Sequence, residues 1–144
     1  MTVTGSPSDA EAKHRLEEGS TFAPKFDADG LIVCITTEIA SGDVLMVAYM
    51  NEEALRRTFA TGIVHYWSRS RRELWRKGDT SGQVQTVREI CVDCDQDALL
   101  LKVAVGGDGK ACHTGRRTCF YRRVVMQGDE AMLVETPEPA GIKT

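Results

Sequence analysis

No stretch of the chain approaches the roughly 18 consecutive apolar residues that a membrane-spanning helix needs. The opening segment MTVTGSPSDAEAKHRLEEGS has no apolar run of the kind that drives secretion or anchors a chain in a bilayer. A cytoplasmic protein without a membrane partner is therefore expected. Overall basicity is lacking as well: the net charge is −3, whereas a nucleic-acid coat protein carries an excess of Lys and Arg. No nucleic-acid partner is expected on that ground. Internal repeats and low-complexity tracts are absent, which removes solenoids and arrays from consideration. The cysteines do not make an even set. Five of them, Cys34, Cys91, Cys94, Cys112 and Cys119, cannot all pair, and a reducing compartment disfavours disulfides. Metal binding or catalysis is the better use for those that cluster, whereas Cys34, inside LIVCI, reads as a small buried hydrophobe.

What is present is an ordinary globular composition, 42% hydrophobic and 27% charged, in 144 residues, enough for one domain with a real core. Its charge is unevenly placed. Residues 56–88 hold eight Arg or Lys against Glu73 and Asp79, and a second basic knot gathers Arg116, Arg117, Arg122 and Arg123. Two such clusters in a mildly acidic chain suit discrete anion sites.

Along the chain, residues 1–20 read as a polar, flexible arm with a helical turn near Glu11 to Glu18. Residues 21–128 form the main domain, and 129–144 a tail that is flexible from about 136. LIVCITTEI and VLMVAYM are β-rich runs separated by the turn SGD. Asn51 is placed to cap a helix that carries Glu52 and Glu53 in its first turn and stops at Gly62. IVHYWS, QVQTVREI, ALLLKVAV and TCFYRRVV add strands, with GGDGK a tight turn. SRSRRELWRKGDTSG shows no apolar periodicity and reads as a long charged loop with a helical turn at Arg71 to Trp75. The expected class is α+β, strand-dominated, in a single compact domain.

The segment VDCDQDALLL places Asp93, Asp95 and Asp97 at alternate positions. In an extended strand, same-face neighbours stand about 6.6 Å apart, and adjacent carboxylates then repel by about 2.5 kcal/mol at an effective dielectric near 20. Either they splay into water or a cation sits among them. A calcium-binding EF-hand loop would need glycine and glutamate where Ala98 and Ala104 stand.

Cys91-x-x-Cys94 is a fair first zinc knuckle, but six residues separate Cys112 from Cys119, so a zinc-ribbon pattern is not met. A thioredoxin-like pair at Cys91 and Cys94 lacks its βαβ setting and has acids alongside. Two readings stay open. All four cysteines could close a structural zinc site, giving a non-enzymatic interaction module. Alternatively, Cys94, Cys112 and Cys119 hold zinc with one open position, where water is acidified, and His113 accepts its proton. In a single strand Cys94 points away from the aspartates, so the second reading asks for two neighbouring ions, a soft one on sulfur and a hard one, Mg²⁺ by preference, on carboxylate.

The blocks MVAYMNEEAL, YWSRSRRELWRKGDTSG, DCDQDALL and ACHTGRRTCFYR, in this order, resemble the phosphoribosyl-AMP cyclohydrolase family of histidine biosynthesis, with the likeness running over about residues 20–125. The resemblance implies hydrolysis of the N1–C6 bond of the adenine ring, with zinc-bound hydroxide attacking C6. The purine-deaminase signature H-x-E…P-C-x-x-C is missing. It further implies zinc on Cys94, Cys112 and Cys119, Mg²⁺ on Asp93, Asp95 and Asp97, and an intertwined homodimer whose active sites combine Cys94 of one subunit with Cys112 and Cys119 of the other. Cys91 is the departure from the family pattern. A substrate with two phosphates gives the basic clusters a purpose. Arg69, Arg71, Arg72, Arg76 and Lys77 are candidates for one phosphate, aided by Thr80, Ser81 and Gly82, and Arg116 and Arg117 for the other. Trp67 is a candidate for stacking on the base, and Trp75 for anchoring its loop.

Overall fold

In the computed structural model, which describes residues 6–136, strands dominate. Helix α1 (Ser6–Glu18) precedes β1 (Ile32–Glu38), β2 (Val44–Met50) and helix α2 (Glu52–Thr61). Then follow β3 (His65–Ser68), β4 (Glu73–Arg76), β5 (Gln85–Val92), β6 (Ala98–Val105), β7 (Arg122–Gln127) and β8 (Glu130–Glu135). The first six strands form one sheet in the order β4-β3-β2-β1-β6-β5, and β7-β8 is a separate hairpin. Among the described residues, only the β1–β6 pairing is parallel. No helix among the described residues is long and apolar enough to cross a membrane.

The sheet curls toward closure. Ile63 bridges Thr86, Val64 N–H donates to the Gln85 carbonyl at 3.0 Å, and Val87 N–H to that of Gly62 at 2.8 Å. The edge strand β5 is thereby tied to the chain entering β3. The concave side is filled by Ile32, Cys34, Leu45, Met50, Val64, Leu99, Leu101 and Val103, all essentially inaccessible. One polar chain crosses this core. Tyr66 Oη lies 2.7 Å from Thr36 Oγ1 and donates to Gln85 Oε1 at 2.7 Å, while Gln85 Nε2 reaches Met46 Sδ at 3.3 Å. Burial this complete holds the Tyr66 phenol well above its ordinary range.

Helix α2 forms where its caps place it. Asn51 Oδ1 accepts the Ala54 N–H at 2.8 Å, and Gly62, at φ 75°, closes the far end by donating to the Thr58 carbonyl. Other stretches depart from expectation. The stretch expected as a loop with a helical turn at Arg71–Trp75 instead holds β4, hairpinned onto β3 with Tyr66 opposite Trp75. A four-residue turn with Arg72 at φ 55° reverses the chain, and an arginine in the left-handed region gives no sequence warning of a turn. The helical turn near the N-terminus is a 13-residue helix, α1. The strand expected at TCFYRRVV is β7, which starts only at Arg122, lies outside the six-stranded sheet, and pairs with β8, formed by residues expected to open the tail. Beyond Thr136 that tail lies outside the described residues.

Candidate active site

The aspartates do not lie in an extended strand. β5 ends at Val92 and β6 begins at Ala98, so residues 93–97 are the hairpin loop joining them. Asp93 Oδ1 accepts the N–H groups of Asp97 (2.9 Å) and Ala98 (3.1 Å), and Gln96 turns the chain at φ 61°. The alternate-face geometry of a strand therefore does not apply. Instead the loop folds one carboxylate oxygen from each of Asp93, Asp95 and Asp97 to within 4.8 Å of one another. The crowding is legible in their acidity. Hydrogen bonds shared with Asp95 and then Asp93 push Asp97 up to about 6. Burial works to raise Asp93, but bonds from the Asp97 side chain and from two backbone amides hold it below the usual carboxylate range. Three converging hard oxygens, one of which takes up a proton just below neutrality, are a donor set suited to Mg²⁺.

Cys112 and Cys119 come together within a loop, residues 106–121, that is braced against the sheet. Cys119 N–H donates to the Leu45 carbonyl at 2.7 Å, and the Ala111 and Cys112 amides donate to the Arg117 and Arg116 carbonyls. The two thiols are close enough to influence each other's acidity, and Cys112 Sγ lies 3.0 Å from Thr114 Oγ1. Burial works to raise Cys112, yet the Thr114 hydroxyl and amide, Cys119 and nearby Lys77 hold it below the ordinary thiol value. Cys119 is pushed up to about 11, first by burial and then by Cys112. Two adjacent sulfurs of this kind are a donor pair suited to a soft metal. Cys94 stays apart: among the described residues the aspartate triad is the one group of three or more such side chains close enough to share an ion. Cys91 Sγ donates to Glu89 Oε2 at 3.3 Å, and Cys34 is buried in the core with its thiol pushed up to about 12 by desolvation.

Beside the thiol pair opens a cleft of about 390 Å³. His113 and Cys119 line it from one side, and Arg71, Arg76, Lys77, Thr80 and Ser81 from the other. Lys77 Nζ donates to the Ala111 carbonyl at 2.8 Å, which ties the two walls together, and burial lowers its pKa against the pull of the thiols. Gly78, at φ 90°, turns the chain directly after it. A Cβ there would collide with the Val84 backbone, so the wall can run this close only with glycine. Arg76 is paired with Asp79 at 2.7 Å, and Arg71 lies over Trp75, which also packs against Tyr66.

Other candidates stand elsewhere. Trp67 and Arg69 line two neighbouring hollows, with the Arg69 guanidinium 4.0 Å above Tyr49, and Arg72 lines one of them. Arg116 pairs with Glu135 at 3.1 Å and covers Tyr121. Arg117, only 11% exposed, bridges Glu38 at 3.0 Å and Asp43 at 2.7 Å. It holds the β1–β2 turn to the cysteine loop. Sequence reasoning passed over Met46, Asp79 and Gln83 in the cleft and Thr114 beside Cys112. The spacing of Thr114 from Cys112 offered a faint signal, while the others depend on folding alone.

The span that carries these residues has known relatives. The family model for phosphoribosyl-AMP cyclohydrolase matches residues 46–121, a span that contains the cleft, the aspartate loop and the cysteine pair. Phosphoribosyl-AMP cyclohydrolase of Brucella canis is 60% identical over 127 residues, covering 88% of this chain and 91% of its own. The Brucella anthropi protein of the same name is 58% identical over 130 residues, 90% and 92% of the two chains. That of a Chelativorans species is 58% identical over 123 residues, 85% and 88%. With more than half its length inside the family model and relatives this similar over most of their length, the chain belongs to the phosphoribosyl-AMP cyclohydrolase family of enzymes.

Proposed function

We propose that this enzyme hydrolyses the N1–C6 bond of the adenine ring of phosphoribosyl-AMP, giving the phosphoribosyl-formimino aminoimidazole carboxamide ribonucleotide of histidine biosynthesis. The observation that carries the reading is the meeting of His113, Cys119 and the basic side chains Arg71, Arg76 and Lys77 along one cleft, with Cys112 beside Cys119, within the span that matches the family. Water adds to C6, N1 leaves with its ribosyl group, and C6 becomes a carboxamide that keeps the former exocyclic amine. His113 takes the proton from the attacking water and returns it to N1 as the ring opens. Arg71, Arg76 and Lys77, with Thr80 and Ser81, receive phosphate oxygens; Arg76 exchanges Asp79 for the substrate.

Zinc fits the thiol pair, and when bound there it supplies a Lewis acid that acidifies water near neutral pH. Mg²⁺ fits the triad of Asp93, Asp95 and Asp97 and would offset their mutual repulsion. A third sulfur is needed, and Cys94 of the same chain is not close to Cys112 and Cys119. A homodimer supplies it. In support, β7 and β8 carry Val124, Met126 and Leu133, each more than half exposed, and two-stranded hairpins are marginal without a partner surface. A second copy of the chain is the occupant that also brings Cys94. The closed four-cysteine module gains no such support, because Cys91 faces Glu89.

The test is turnover of phosphoribosyl-AMP followed by the loss of the adenine chromophore, alongside metal content by mass spectrometry. Ring opening at about one zinc per chain is the expected result. A protein that binds zinc tightly yet leaves the nucleotide intact would overturn the assignment.

A further inference from the structure

The aspartate loop is held from outside by the N-terminal segment, and one residue bonds to that segment through both its side chain and its backbone carbonyl. Gln96 sits between Asp95 and Asp97, is 5% exposed, and occupies the left-handed region at φ 61°, which a non-glycine residue rarely adopts without compensation. Its side chain supplies that compensation. Gln96 Oε1 accepts the Ala23 N–H at 2.8 Å, and Nε2 donates to the carbonyls of Leu16 (2.9 Å) and Thr21 (3.3 Å). Its backbone carbonyl accepts the Lys25 N–H at 2.7 Å, and its own N–H closes the loop onto the Asp93 carbonyl at 3.1 Å. Leu16 lies in the last turn of α1, where a helix has carbonyls to satisfy. The same segment is fastened at two more points: the Phe22 ring meets Phe59 of α2 edge-on at 5.9 Å, and Phe26 packs against the core.

We propose that Gln96 is a positioning residue that couples the carboxylate loop to residues 16–25, so that docking of this segment sets the affinity of Asp93, Asp95 and Asp97 for a divalent cation. The inference deepens the Mg²⁺ reading above and rests on it. The physical basis is that the turn which gathers the carboxylates and the turn which exposes the Gln96 amide to the N-terminal segment are one backbone conformation. Whatever stabilises one stabilises the other, and linkage makes the effect reciprocal. A cation on the triad must therefore tighten the N-terminal segment, although it touches none of it.

The test uses the full-length protein with Mg²⁺ or Mn²⁺ alone. Cation affinity is measured by calorimetry, and hydrogen exchange at the Ala23 and Lys25 amides by NMR or mass spectrometry. In the unmodified protein, saturating Mg²⁺ slows exchange at both amides. Gln96→Gly retains the left-handed turn and the backbone bonds but lacks the amide. It is expected to bind Mg²⁺ on the order of tenfold more weakly, the usual scale of such coupling, and to lose the Mg²⁺-dependent protection at Ala23. Gln96→Asn, which tolerates the same conformation but is shorter, is expected to fall between the two. Unchanged affinity in Gln96→Gly, or exchange at Ala23 and Lys25 that ignores Mg²⁺ in the unmodified protein, would overturn the coupling while leaving the cation site standing. Failure of the unmodified protein to bind either cation would sink both. The exchange measurement on the unmodified protein requires no variant, so it decides even where a substitution unfolds the chain.

Discussion

Separation of Cys94 from the Cys112–Cys119 pair within one chain leads to a prediction that a mixture of two dead proteins will work. Cys94→Ala removes one sulfur from every site of a homodimer, and Cys112→Ala removes a different one. Both proteins are expected to be inactive. In a mixed dimer one site combines both lesions, whereas the other takes Cys94 from the second variant and Cys112 with Cys119 from the first, so it is intact. A purified mixed dimer, isolated by two different affinity tags after co-expression, should show about half the turnover of the unmodified enzyme. Unsorted subunits reassorting at random should recover about a quarter, because about half the dimers are mixed. Zinc content should recover in the same proportion as activity, a readout independent of substrate. The magnitude follows from the geometry: the triad is the one group of three or more potential ligands gathered within the described residues, and Cys94 does not join the thiol pair there. If the mixed dimer is as inactive as its parents while remaining dimeric, the three sulfurs act within one chain and a site shared between subunits is refuted.

Four further outcomes are expected. His113→Ala should lower kcat by roughly 10²-fold or more with zinc content unchanged, since the residue lines the cleft and is the acid–base group of the proposed reaction; loss of zinc would make it a ligand instead. Cation affinity at the triad should weaken as pH falls. Because its neighbours raise Asp97 to about 6, a cation must displace its proton below that pH, at a cost of about tenfold in affinity per pH unit for one proton. Calorimetry at pH 5 and pH 7 measures it, and equal affinities at the two would refute it. Arg117→Met should cost about 2 kcal/mol in urea unfolding, less than a fully buried pair because Asp43 is 46% exposed; a loss in cleft binding without a loss of stability would contradict the structural role. Cys91→Ala should leave zinc content and turnover unchanged, since its thiol is directed at Glu89.

The sequence disclosed whatever is encoded locally. Asn51 and Gly62 bracket α2 because caps act through neighbouring backbone groups, and β1 and β2 announce themselves as apolar runs around a short turn. The candidate residues could be singled out for the same reason: aspartates at alternate positions and cysteines beside histidine are visible as spacings, whatever the fold. Geometry was not. The aspartate segment reads as a strand until the pairing of β5 with β6, Val92 opposite Leu99, turns residues 93–97 into a loop. β4 was hidden because Leu74 and Trp75 find their places only against Tyr66 and Trp67 on another strand. Arg117, between two metal-binding candidates, has the chemistry of a phosphate ligand, and only the approach of Glu38 and Asp43, more than 70 residues away, redirects it. Gln96 looks like a spacer until Leu16, Thr21 and Ala23 arrive around it.

The hydroxyl–amide chain from Thr36 through Tyr66 to Gln85 also constrains how the protein can vary. Those three residues and Met46 belong to β1, β3, β5 and β2, so four strands share one polar lock. Sliding any one of them by a residue would point its hydroxyl or amide away and strand the remainder without water. The lock therefore selects one alignment of the curled sheet over its near neighbours. Met46 also lines the cleft beside the thiol pair, so the lock and the cleft wall share a side chain, and neither can be altered there without the other.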